Sequence, residues 1–225
     1  MNFREQIEEV KPREIEERSF AIISEELGAR TFAPHTELIV KRCIHTSADF
    51  DYADNLCFSQ DAAVKAMEAI QRGVTVVTDT NMALAGITKP GLAKLGGTAC
   101  CYMADPEVAA AAKEAGTTRA VAAMKKAAQE HPGAILAVGN APTALLTIAE
   151  QIESGLRPAL VIGVPVGFVN VVESKERLFA VCEKHDVPAI VAMGRKGGSN
   201  VAAAICNALI YSAAEMLDPS ARGWK

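Results

Sequence analysis

The sequence predicts an α/β domain: a doubly wound, mainly parallel five-stranded sheet with helices on both faces, preceded by an N-terminal helical segment. Three observations carry this. Five short apolar runs, residues 74–78, 98–103, 134–138, 159–164 and 189–193, alternate with the helical stretches 106–130, 142–154, 171–185 and 199–217. The runs are nearly continuous Val, Ile, Leu and Ala, as expected of strands covered on both faces. Each intervening stretch is long enough to cross over and return a parallel strand. At 225 residues and 50% hydrophobic composition the chain is ample for one core, so a single domain is expected, with helices over about 12–72 and the parallel core over about 73–217.

The first helix is marked by Pro12, which suits a first turn, by the acids that follow it, and by Ile15, Ser19, Ile22 and Ile23 at helical spacing. Gly28 is its stop. Ser19 stands in this apolar stripe, where a hydroxyl is either bonded back to its own helix or turned to a ligand. A second helical pattern runs through Ala62, Val64, Ala66, Met67 and Ile70 and ends at Gly73.

Between these helices lies Lys41-Arg42-Cys43-Ile44-His45-Thr46-Ser47-Ala48-Asp49-Phe50-Asp51, the densest run of protonatable groups near an apolar stretch. His45 is the candidate catalytic residue, because imidazole gives and takes a proton near neutral pH with little tuning. Arg42, three residues earlier, shares a helical face with it and supplies a permanent cation for an acidic ligand. Cys43 is two residues from His45, which on a helix places it on a different face and argues against a thiol nucleophile. His45 and Asp49 alone do not make a metal site, and no nearby His or Cys pair has zinc-like spacing.

The unusual residues of the core follow the strands: Asp79-Thr80-Asn81-Met82, Gly139-Asn140-Ala141-Pro142-Thr143, Pro165-Val166-Gly167-Phe168-Val169-Asn170 and Gly194-Arg195-Lys196-Gly197-Gly198-Ser199-Asn200. In an open parallel sheet the strand carboxyl ends share one edge, and ligands bind in the crevice there. Two of these loops open directly into helices, whose first-turn amides favour an anion. Gly197 and Gly198 allow close backbone approach or positive φ. Arg119, Asn140, Lys175, Arg195, Lys196 and Ser199 are therefore candidate substrate contacts, with Asp79 ranked behind them. Each has a bland alternative: Asn140 as a helix cap, Lys175 and Arg177 on a solvated face, Arg119 paired with Glu114 or Asp105.

The net charge of −4 argues against general nucleic-acid binding, while local clusters such as Lys41-Arg42 and Arg195-Lys196 leave room for an acidic small molecule. The charged first residues and the absence of a run of ~18 apolar residues predict no signal peptide, no membrane partner and a cytoplasmic protein. The six cysteines show no regular framework and no C-x-x-C pair, and read mostly as buried, reduced small hydrophobes. The Rossmann fingerprint, the phosphate loop and the nucleophile elbow are missing.

Taken together, the block from Arg42 to Asp49, Gly139-Asn140-Ala141-Pro142-Thr143-Ala144-Leu145, Gly163-Val164-Pro165-Val166-Gly167-Phe168-Val169, Glu173-Ser174-Lys175 and Arg195-Lys196-Gly197-Gly198-Ser199 closely resemble the precorrin-8X / cobalt-precorrin-8 methylmutase family of cobalamin biosynthesis. The similarity runs from about Pro12 to Leu209 and leaves the tail from Asp218 to Lys225 outside it, with no role assigned. The resemblance implies an isomerase that moves a methyl group from C11 to C12 on ring C of a polycarboxylate corrinoid, yielding hydrogenobyrinate or cobyrinate. It implies no added cofactor, no resident metal, and a homodimer with substrate near the subunit interface. The family's proton donor/acceptor histidine matches His45, its substrate-contacting serine matches Ser19, and its basic position matches Arg42. The competing readings are a tetrapyrrole carrier, which needs no titratable group at His45, and a nucleotide-dependent oxidoreductase, against which the missing glycine fingerprint counts.

Overall fold

Residues 10–222 are described by the computed structural model. Residues 1–9, on which the signal-peptide reading rests, and residues 223–225 of the tail lie outside the described residues.

The chain begins with α1 (Pro12–Leu27), with proline in its first turn. Gly28, at φ +61°, ends the helix and donates its N–H to the carbonyls of Ser24 and Glu25. Next come α2 (Glu37–Ser47), the single turn α3 (Tyr52–Asn55), a short strand β1 (Leu56–Phe58) and α4 (Ala62–Gln71). From there β2 (Thr75–Thr78), α5 (Asn81–Gly86), α6 (Lys89–Lys94), β3 (Thr98–Cys100), α7 (Pro106–Glu114), α8 (Arg119–Glu130) and β4 (Ile135–Val138) follow. The chain closes with α9 (Pro142–Glu153), β5 (Leu160–Gly163), α10 (Val171–Lys184), β6 (Ala189–Ala192), α11 (Ser199–Ala213) and a 3-10 turn at Pro219–Arg222.

The strands form one sheet in the order β1-β6-β5-β4-β2-β3. The five expected strands are all present and mutually parallel. The sixth is a correction: β1 lies within the segment read as purely helical and pairs antiparallel with β6, Cys57 opposite Val191. Three residues are too few for a periodic signal, and what makes them a strand is the free edge of β6. A second correction concerns the stretch 106–130, which is two helices broken at Gly116-Thr117-Thr118, where the Thr118 side chain accepts the Val121 N–H and starts α8 anew. The helices α5 and α6 fill the crossover from β2 to β3, where the sequence reading places no helix.

The pleat divides the core in two. Ile135, Ala137, Leu160, Ile162, Ile190 and Ala192 join one apolar cluster with residues of α1, α2, α4, α5, α6 and α11. Leu136, Val138, Val161, Ala189 and Val191 join the other, with α7, α8, α9 and α10. Alternate strand residues thus face opposite helical layers, which explains the unbroken apolar runs. The stripe on α1 is only partly buried: Ile23 and Leu27 reach the core, whereas Ile15 and Ile22 are each 49% exposed.

Candidate functional site

His45 stands in the last turn of α2, exposed to solvent, while its neighbours Cys43 and Ile44 point into the core. The helical repeat sets this division, and it removes Cys43 from the chemistry: burial pushes its thiol far above the ordinary range, so no thiolate forms. Arg42 and His45 come together as expected, lining a cavity of about 240 Å³ with Thr46 of α2, Gly86 at the end of α5, and Asn200, Ala203, Ala204 and Asn207 of α11. Gly86 is required there, since a Cβ would stand 2.8 Å from that of Ala203. The Asn207 amide donates to the Gly86 carbonyl and accepts from the Thr88 N–H, both at 2.8 Å, which stitches the α5–α6 link to α11.

Aromatic rings and a carboxylate flank the pair. Phe20 of α1 lies with its centroid 5.5 Å from that of His45 and 5.3 Å from the Arg42 guanidinium. Arg42 also stacks over Tyr211 at 4.7 Å and donates to Glu16 at 2.7 Å. Ser19, one turn along α1, is bonded back to its helix, its hydroxyl donating to the Ile15 carbonyl at 2.7 Å.

The other candidates are spread along the sheet's carboxyl edge. Lys196 bridges from the loop after β6 to the end of α2, with its ammonium 2.7 Å from Asp49 and 2.5 Å from Asp51. These contacts take up the carboxylates beyond His45 and fix the loop against α2. Arg195 is exposed and lies over the Phe168 ring at 5.5 Å. Ser199 is nearly buried, its hydroxyl 2.8 Å from that of Thr80. Asn140 is exposed and its side chain does not cap α9. Arg119 is exposed at the start of α8, held at the same edge by the Thr118 and Thr143 hydroxyls, 3.2 Å apart. Asp105, its suggested partner, pairs with Lys126 instead.

Two candidates serve the scaffold. Lys175 is completely buried in α10, and its ammonium donates at 2.8 Å to the carbonyls of both Gly194 and Lys196. Burial brings its pKa down to about 8. It therefore positions the Arg195-Lys196 loop from beneath. Asp79, at the end of β2, is also completely buried, and its carboxylate accepts the N–H groups of Gly139, Asn140 and Ala141 at 2.8 Å each. Burial outweighs these three bonds and raises its carboxyl above the ordinary range. The amides in front of α9 that were expected to receive an anion are thus already filled by the protein's own carboxylate.

The glycines after β4 and β6 serve loop packing. A Cβ on Gly139 would lie 2.7 Å from the Ser199 Cα, and one on Gly197 would lie 2.1 Å from the Val164 carbonyl oxygen. Gly198, at φ +139°, donates its N–H to that same carbonyl at 2.8 Å.

Sequence reasoning missed Glu16, Phe20, Gly86, Asn207 and Tyr211, and placed Asn200 only within the loop after the last strand. Asn207 had a signal, as a lone amide within the apolar residues 201–210, but the others are brought to Arg42 and His45 only by the packing of α1 and α11 on α2.

The family model described as precorrin-8X methylmutase matches residues 14–212. The cobalt-precorrin-8 methylmutase of Salmonella typhimurium is 47% identical over 89% of this chain and 95% of its own length. That of Priestia megaterium is 44% identical, covering 93% and 92% respectively. Among solved structures, the precorrin-8X methyl mutase of Thermus thermophilus superposes with a TM-score of 0.83 at 45% identity, covering 90% of this chain and 97% of that one.

Proposed function

This chain belongs to the precorrin-8X methylmutase family, and we propose that it moves a methyl group from C11 to C12 on ring C of precorrin-8X or cobalt-precorrin-8, giving hydrogenobyrinate or cobyrinate. The observation that carries the reading to named residues is Arg42 and His45 side by side in one open cavity. The migrating methyl leaves C11 and bonds to C12, so no atom is gained and no hydride, phosphate or electron is exchanged. Such a step needs the macrocycle held still and one proton placed. His45 gives a proton or an N–H hydrogen bond to the ring system near ring C, biasing the tautomer that rearranges. Arg42 holds a peripheral carboxylate, for which a guanidinium fork is suited.

The carboxyl edge supplies the remaining contacts. Arg119, Asn140, Arg195 and Lys196 are exposed along it and carry cationic or amide donors. Met82 in the first turn of α5 and Val166, Phe168 and Val169 in the loop after β5, between 50% and 83% exposed, offer apolar surface to a flat ring. Ser199 shapes the floor with Thr80, and Lys175 holds the Arg195-Lys196 loop. Ser19 meets substrate only by turning its hydroxyl away from Ile15.

The cavity, at about 240 Å³, is smaller than the ~300–1,000 Å³ typical of drug-sized ligands, so a macrocycle extends beyond it. A second copy of the chain covering that edge completes the site, and the exposed Ile15 and Ile22 of α1 offer it apolar surface. Light scattering tests this: a mass twice 23.8 kDa is expected, and a monomer at micromolar concentration removes the dimer.

The decisive experiment titrates wild-type and His45→Ala protein with hydrogenobyrinic acid, followed by visible absorption, while turnover of the metal-free and cobalt substrates is assayed in parallel. Both proteins should bind, and His45→Ala should lose turnover about 100-fold or more, the scale of a general acid–base group. Wild-type turnover in His45→Ala would overturn the mechanism; binding without turnover of either substrate in wild type would leave a carrier.

A further inference from the structure

The 3-10 turn at Pro219–Arg222 lies beyond the matched residues 14–212, yet it packs back onto α1 beside the His45 cavity. Its Arg222 grips Glu16 through both ends of the guanidinium, Nη1 donating to Oε2 and Nη2 to Oε1, each at 2.8 Å. Arg42 donates its Nη2 to the same Oε1 at 2.7 Å. One carboxylate is thus shared by two guanidiniums. Both also lie over the Tyr211 ring at 4.7 Å, whose negative face offsets part of their mutual repulsion.

The charges in this cluster do not cancel. Glu16 and Arg42 alone would form a neutral pair with little pull on an incoming anion, whereas Glu16 with both arginines carries one net positive charge. The side chains are only 12%, 10% and 6% exposed for Glu16, Arg42 and Arg222, so solvent screens that charge weakly. Arg222 takes the bidentate share of the carboxylate and leaves Arg42 a single bond to it. Among the described residues the Nε atoms of Arg42 and Arg222 are both buried without a hydrogen-bond partner, so both arginines meet Glu16 through their terminal nitrogens alone. Arg42 stands on the wall between two cavities, one shared with His45 and the other, of about 210 Å³, with Glu16, Phe20 and Leu217. The other carboxylate on the second cavity, Glu17, is exposed.

We propose that Arg222 is a positioning residue for substrate binding: by occupying Glu16 it leaves Arg42 with net positive charge and fixes its guanidinium to receive a substrate carboxylate beside His45. This rests on the reading of Arg42 as a carboxylate-binding group. A Glu16 held ionised by its two cations, which together outweigh its burial, agrees with the arrangement.

The test uses the full chain with hydrogenobyrinic acid as probe and precorrin-8X as substrate, comparing Arg222→Gln, Arg222→Lys and the double variant Glu16→Gln/Arg222→Gln. Arg222→Gln keeps a hydrogen bond to Glu16 but no charge, and should weaken binding and raise KM about fivefold to tenfold, the range of a partly buried charge pair, with kcat within about twofold. Arg222→Lys should regain most of the loss. The double variant removes a negative and a positive charge together, returns Arg42 to a net positive site, and should bind within about threefold of wild type. If Arg222→Gln does not fold, Glu16→Gln alone is read instead: it leaves both arginines without their shared carboxylate and should bind the probe at least as tightly as wild type, and weaker binding overturns the inference. Unchanged binding in Arg222→Gln, or a double variant bound no more tightly than the single one, overturns the inference while leaving the methylmutase reading intact. Failure of the wild-type protein to bind the probe overturns both.

Discussion

Two crevices on one sheet edge are filled in opposite ways. Between β2 and β4 the chain changes direction, with β2 leading outward to β3 and β4 leading the other way to β5, the topological position at which ligands of open α/β sheets usually bind. Here that position is closed by the Asp79 carboxylate on the amides of Gly139, Asn140 and Ala141. Between α2 and α11 the reverse holds: a cavity of about 240 Å³ is lined by Arg42 and His45, with no carboxylate among its described lining residues. A fold-level rule locates the edge, but the state of the donors decides which crevice on it can take an anion. A buried amide already bonded to a carboxylate has no reason to exchange it for a ligand, whereas an arginine that shares its one carboxylate with a second arginine keeps a net pull on an anion.

The largest effect expected from breaking this contrast is at Asp79. Asp79→Ala leaves three N–H groups without their acceptor, at ~1–3 kcal/mol for each that stays dry, so a loss of about 3–5 kcal/mol is expected in chemical denaturation. A loss below 1 kcal/mol would mean that water replaces the carboxylate and that this crevice is open after all.

Next in size is Lys175→Met, which strips two partly buried carbonyls of their donor, a cost of about 2–3 kcal/mol. Its pH dependence has a definite sign. With the folded pKa near 8 and the unfolded value near 10.4, the native state binds fewer protons in that window, so wild type should gain stability relative to Lys175→Met as pH rises from 8 toward 10.4. Parallel stability curves for the two proteins would show that the ammonium is not desolvated.

The smallest effect is at Ser199, whose hydroxyl joins the two regions through Thr80. Ser199→Ala should cost about 1 kcal/mol in thermal unfolding, the worth of one hydrogen bond. A KM for corrinoid raised by more than about tenfold with unchanged stability would instead make Ser199 a substrate contact.

Much of this was legible in the chain. The unbroken apolar runs identified the parallel strands because burial on both faces leaves no polar alternation to read. Arg42 and His45 were paired by helical spacing alone, and Cys43 was turned away from them by the same repeat. What failed did so for lack of local signal. The strand at Leu56–Phe58 takes its structure from the edge of β6, and Lys175 reads as a surface lysine until α10 is laid beneath the Gly194–Lys196 carbonyls.

By itself, then, the sequence determined the class of fold, the edge on which the polar loops collect, and the helical face shared by Arg42 and His45. All of these follow from periodicities spanning a few residues. Only the tertiary structure decided that Asp79 closes one crevice, that Lys175 props a loop, and that Glu16 and Arg222, 206 positions apart, meet at Arg42. Hydrogen bonds and ion pairs between such distant residues leave no periodic trace, because each depends on where the packed layers bring two side chains rather than on their spacing along the chain.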